Sequence, residues 1–144
     1  MYRIWDKNDK RYVNIVNQLV DIKEEGFLTN GKTVYVVKQT MDDEYKIYLD
    51  ANQDKFIIER STELFDKNGV EIYEGDRVLL HFFNEYHSEQ ISVYEDAKVQ
   101  GIISFVQGGF WVEDKDKISY FLWQVLEDAE IEVIGNIHKE DNNV

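Results

Sequence analysis

Cysteine and proline are both missing from the 144 residues. Without cysteine there is no disulfide framework, no thiol nucleophile and no cysteine-ligated zinc. Without proline, where ordinary usage of about 5% would place roughly seven, chain reversals fall to glycine, asparagine and aspartate. No run of eighteen apolar residues occurs, so no membrane-spanning helix is expected. The N-terminal "MYRIWDKNDKRYV" is polar and has no apolar signal-peptide core, which makes a cytoplasmic protein the expectation. Positive charge is scarce in one half only. Residues 1–60 hold ten Lys/Arg and eleven Asp/Glu, whereas residues 61–144 hold six and eighteen, a net of −12. Such a surface repels nucleic-acid phosphates, so direct nucleic-acid binding is disfavoured there. It serves either solubility or docking on a basic partner.

What is present is apolar material in a strand-like pattern. The hydrophobic fraction is 43% and the aromatic fraction 14%, enough for a packed core. Alternating or β-branched runs occur at 32–38, 45–50, 55–60, 77–83, 97–106, 110–114 and 129–138. Asn30-Gly31 is read as a two-residue hairpin turn, and Gln107-Gly108-Gly109 as a tight hairpin. Residues 14–25 fit a helix or a strand and turn. In 119–128, Tyr120, Trp123 and Leu126 form a helical stripe, while Phe121, Trp123 and Val125 share a strand face. The reading adopted there is a strand passing into one helical turn near 124–128.

The stretch "DKNGVEIYEGDRVLL", Asp66 to Leu80, holds four acids and two glycines. Asp66 suits the first position of a turn, where its carboxylate reaches backbone N–H groups further on. Gly69 or Asn68 closes that turn, and Glu74-Gly75-Asp76 makes another before a core strand begins at Arg77. A calcium loop needs glycine sixth and glutamate twelfth. Counted from Asp66, glycine is fourth and position twelve is Arg77. An acid–base pair among Glu71, Glu74 and Asp76 would need a pocket and a raised pKa; turn acids are expected to be solvated. His81, His87 and His138 are expected to stand apart. There is no phosphate loop and no Gly-x-Ser-x-Gly elbow. No metal, cofactor or catalytic residue is assigned.

"DKNGVEIYEGDRV" resembles the signature of the YopX family, small proteins of phages and prophages in low-GC Gram-positive bacteria, through Asp66, Asn68, Gly69, Glu71, Tyr73, Gly75 and Asp76. "YRIWDKNDKRYV" is similar to the family's N-terminal pattern through Arg3, Trp5 and Asp6. "LEDAEIEVIGNIHKE" resembles its closing segment, including Gly135 and Asn136. The three stand in family order over nearly the whole chain. One departure is Thr62-Glu63-Leu64, where the family usually has Thr-Gly-Leu. The resemblance implies a phage or prophage origin and brings no assigned activity.

The expected fold is mainly β. Five strand-like segments, 77–83, 97–106, 109–113, 118–124 and 131–137, with the Glu-Gly-Asp-Arg-Val lead-in, look like an SH3-like small barrel over 61–144, with a variable insertion at 84–96. Residues 1–60 would form a smaller β-rich (α+β) subdomain. Such barrels bind many things, so the fold leaves function open. The expected function is that of a non-enzymatic phage accessory protein that binds a host or phage protein through its acidic surface, after self-association. Trp111 and Tyr86 are candidate contact residues among aromatics that are otherwise mostly core. The alternatives are a nucleic-acid-associated protein using Lys7, Lys10 and Arg11, and a carboxylate-based hydrolase of unrecognised type.

Overall fold

The computed structural model describes residues 1–16, 25–42, 44–87 and 92–139; within 84–95 it describes the backbone alone. The chain divides into two compact units, Met1–Arg60 and Ser61–Val144. The architecture is mainly β, with curled antiparallel sheets. No helix among the described residues is long and apolar enough to cross a membrane.

The first unit contains β1 (Tyr2–Asp6), β2 (Arg11–Tyr12), β3 (Glu25–Thr29), β4 (Val34–Gln39), β5 (Tyr45–Leu49) and the first half of β6 (Phe56–Phe65). β1 lies between β2 and β6, with Trp5 opposite Tyr12 on one side and Ile57 on the other. β3, β4 and β5 form an antiparallel meander. Ile4, Val13 and Val34 are fully buried or nearly so, with Phe27, Phe56 and Ile58 packed on them. Residues 14–16 are extended: the Val16 N–H donates to the Phe27 carbonyl at 2.8 Å, and the Phe27 N–H to the Asn14 carbonyl at 3.0 Å. The rest of the segment expected as helix or strand, 17–24, lies outside the described residues.

The expected two-residue turn at Asn30-Gly31 is in fact a four-residue connection, because β3 ends at Thr29 and β4 begins at Val34. The Asn30 side chain makes the longer loop favourable by accepting the N–H groups of Lys32 and Thr33, both at 2.9 Å.

The second unit continues β6 and adds β7 (Glu71–Tyr73), β8 (Asp76–His87), β9 (Ser92–Val106), β10 (Gly109–Asp114), β11 (Ser119–Phe121), α1 (Leu122–Asp128) and β12 (Ala129–Asn136). Its sheet runs β11-β10-β9-β8-β12 and curls into a half-barrel. Strand alternation explains its two faces. Val78 and Leu80 enter the core with Ile72, Ile103, Val112 and Ile131. Arg77, Leu79 and His81 therefore stand on the outer face. Gly101 permits the close approach of β9 and β10. A Cβ there would lie 2.5 Å from Val112 Cγ1 and 2.9 Å from the Glu113 carbonyl oxygen.

Within the expected insertion at 84–96 the described residues are strand, with β8 and β9 paired as far as His87 opposite Ser92; 88–91 lie outside the described residues. The Gln107-Gly108 hairpin forms as expected, both residues having positive φ, 51° and 80°. The helix begins at Leu122, before the anticipated turn, and buries Leu122 and Val125; Trp123, expected on the apolar stripe, is exposed.

Candidate functional site

Two of the signature acids, Asp66 and Asp76, are buried and bonded to the backbone. Asp66 is 6% exposed and Asp76 2%, which corrects the expectation that turn acids are solvated. Asp66 Oδ1 accepts the N–H groups of Asn68 and Val70, each at 2.8 Å. Its Oδ2 accepts the N–H of Val133 on β12 at 2.9 Å. One carboxylate therefore closes the turn between β6 and β7 and ties it to β12. Burial raises its pKa, but these three bonds and the neighbouring Lys67 charge outweigh it and hold the pKa below the usual carboxylate value. That is opposite to the shift a general acid needs. Asp76 Oδ2 accepts the Tyr73 N–H at 2.8 Å across the next turn. Gly69 and Gly75 have φ of +79° and +89°, which side-chain-bearing residues adopt at a cost. Glu71 and Tyr73 are half-buried on β7 and Asn68 is exposed in the turn.

The other signature residues do similar work. Asp6 Oδ1 accepts the N–H groups of Asn8 and Asp9 at 2.9 and 3.1 Å. Asn136 Oδ1 accepts those of His138 and Lys139 at 3.0 and 3.2 Å. Gly135 adjoins the β12 bulge between Val133 and Gly135. Arg3 Nε donates to Glu59 Oε1 at 2.7 Å, and the Tyr12 hydroxyl donates to the same oxygen at 2.9 Å. The Arg3 guanidinium lies 4.6 Å from the Tyr12 ring centroid, and Trp5 meets that ring edge-on at 5.0 Å. Sequence reasoning missed Glu59, which is 2% exposed. A charged residue inside the "KFIIER" strand was the available signal.

The candidate contact residues separate. Trp111 on β10 stands opposite Phe121 on β11, with ring centroids 5.1 Å apart. Phe121 is 39% exposed and Trp123, just beyond it, 59%. A recess of about 620 Å³ beside them is lined by Phe82, Tyr120, Gln124 and Asp128 among others. Tyr86 lies on β8, but its side chain is outside the described residues. So is that of His87, while His81 and His138 sit on β8 and beyond β12. Among the described residues no group of three His, Cys, Asp or Glu is placed to hold a metal ion. Lys7, Lys10 and Arg11 are exposed around the β1–β2 turn, with Arg11 3.8 Å from Asp9.

A second concavity of about 780 Å³ lies against β8, β9, β10 and the turn that follows β10. Arg77, Lys98, Lys115 and Lys117 line it, with Gln100, Ser104 and three acids. Arg77, Lys98 and the Lys115/Lys117 pair are far apart in sequence, and the strand register brings them together.

A family model described as YopX protein matches residues 1–142. The chain belongs to the YopX family. Protein yopX from Bacillus subtilis, solved by X-ray crystallography, is similar over 99% of this chain and 96% of its own, at 16% identity and a TM-score of 0.58. Protein EF1440 from Enterococcus faecalis is similar over 95% and 92%, at 23% identity and a TM-score of 0.49. No curated protein matches the chain. At such identity the likeness to the B. subtilis protein shows the fold alone.

The departure of this chain from the YopX pattern falls at a strained position. Glu63, where the resemblance implies glycine, has φ of +61° within the irregular pairing of β6 with β7. Neighbouring hydroxyls hold that bend. Ser61 Oγ accepts the Glu63 N–H at 2.9 Å, and Thr62 Oγ1 accepts the Leu64 N–H at 3.1 Å while donating to the Ile72 carbonyl at 2.7 Å.

Proposed function

We propose that this YopX-family chain is a non-enzymatic accessory protein of a phage or prophage. In this reading it acts as a protein-interaction module in the host cytoplasm. The second unit is an SH3-like barrel that docks on a basic segment of a host or phage protein. The observation carrying this reading is the exposed pair Phe121 and Trp123, with half-buried Trp111 packed on Phe121, at the β11 edge of a unit with net charge −12. Large exposed aromatics are enriched at binding anchors, and a surrounding field of one sign speeds encounter with an opposite charge. The buried acids of the signature are committed to backbone N–H groups, which favours an architectural role for the motif over a chemical one. Self-association fits the same reading, since β5 is a sheet edge with Ile47, Tyr48 and Leu49 exposed.

The test is a pull-down from host lysate with wild type and a Trp111→Ala/Phe121→Ala variant, at low salt and at about 0.5 M salt. A basic protein retained by wild type at low salt, released at high salt and missed by the variant supports the reading. Identical capture by both proteins at both salt concentrations contradicts it.

A further inference from the structure

We propose that the cleft against β8, β9 and β10 binds a small oxyanion, a molecule bearing phosphate or carboxylate groups. Residues 61–144 carry only six Lys/Arg against eighteen acids. Four of the six, Arg77, Lys98, Lys115 and Lys117, line this one cleft. In so acidic a unit, cations distributed for stability alone would be drawn to separate carboxylates, as Lys67 is to Glu132 at 3.5 Å.

The three acids of the cleft offset three of these four charges and leave it net positive, in a unit whose net charge is −12. Asp114 Oδ1 accepts the N–H groups of Asp116 and Ile118 at 2.9 and 3.0 Å. Glu113 pairs with Lys117 at 3.2 Å. Arg77, Lys98 and Lys115 have no ion pair among the described residues.

Arg77 adds the second observation. Its Nε is buried and has no hydrogen-bond partner. A buried charged donor left unpaired is costly, and this chain has 29 acids from which a partner could have been drawn. Arg77 stands opposite Ile102 on one side and Gly135 on the other, with its Cδ 4.0 Å from where a Gly135 Cβ would be. Arg77 lines the cleft, so a carboxylate or phosphate held there meets a guanidinium, the cation best suited to such groups. Gln100 and Ser104 supply neutral donors alongside.

Size and lining narrow the ligand. A volume of about 780 Å³ suits a small molecule. Among the described residues no aromatic ring lines the cleft, which does not favour a nucleobase as the ligand. A long polyanion would also meet the acidic field of the unit, whereas a small one sits within a Debye length of the cations, about 8–10 Å.

The experiment is calorimetric titration of the full chain with pyrophosphate and, separately, citrate at low ionic strength. Saturable one-to-one binding of at least one is expected, and the stronger arm tells phosphate from carboxylate chemistry. Arg77→Met should weaken binding about tenfold or more, the loss of a charge-assisted contact. Lys115→Met, on an exposed turn, should weaken it severalfold and decides the matter if Arg77→Met does not fold. Lys67→Met, outside the cleft, should change nothing. Absence of saturable binding by both anions overturns the proposal, as does binding that the folded cleft variants leave unchanged.

Discussion

Replacing Glu63 with glycine should stabilise this protein. Glu63 holds a left-handed backbone conformation, φ +61°. For a residue with a Cβ that conformation costs about 1–2 kcal/mol. Glycine removes the cost but adds about 0.5–1 kcal/mol of backbone entropy to the unfolded chain. The side chain is exposed and makes no hydrogen bond or ion pair among the described residues, so its loss subtracts little. The bonds that hold the bend come from the Glu63 N–H and from the Ser61 and Thr62 hydroxyls, all of which survive the change. The balance is a gain of about 0.5–1 kcal/mol, or roughly 1–4 °C in melting temperature for a chain of this size. Urea unfolding should show a higher midpoint with an unchanged slope. Glu63→Ala is the control, since alanine keeps the strain and should track wild type within about 0.5 kcal/mol. If the glycine variant is no more stable than the alanine variant, the bend is not strained and the reasoning fails.

Three further outcomes follow from the same structure. Asp66→Asn removes one of two acceptor oxygens and leaves a buried N–H unmet, so about 2–3 kcal/mol should be lost in chemical denaturation. Because the folded-state pKa of Asp66 is lowered, its contribution is complete above the unfolded carboxylate value and disappears as pH falls through the folded one. The gap between wild type and Asp66→Asn should therefore narrow below about pH 4; a constant gap would mean that the charge is not what matters. Arg3→Met takes the guanidinium away from the buried Glu59 carboxylate and should cost about 2–4 kcal/mol by urea unfolding, a cost near zero contradicting the account. Gly101→Ala drives a methyl against Val112 and the Glu113 carbonyl and should cost about 1–3 kcal/mol, with a lowered melting temperature as the readout.

Much of this fold was legible because the turns admit few residue types. With proline absent, Gly69, Gly75 and Gly108 mark the reversals, and all three have positive φ. Val78 and Leu80 announce a half-buried strand by alternation alone. Helix α1 was harder to read, because its buried pair, Leu122 and Val125, sits among aromatics that satisfy both a helical and a strand period. Asn30 was misread because its side chain closes a longer loop than its neighbour Gly31 implies. The Asp66–Val133 bond spans 67 residues, and no local pattern encodes it. The cation-lined cleft was invisible for the same reason. Arg77 comes opposite Ile102 only through the pairing of β8 with β9, and Lys115 reaches the same space only through β10.

The most direct test of the interaction reading is quantitative. A basic protein recovered at low salt should be purified and its affinity measured against wild type and Trp111→Ala/Phe121→Ala, at about 0.05 M and about 0.5 M salt. The account predicts that affinity falls steeply with salt for wild type and is at least tenfold weaker for the variant even at low salt. An affinity indifferent both to salt and to the aromatic pair would contradict it.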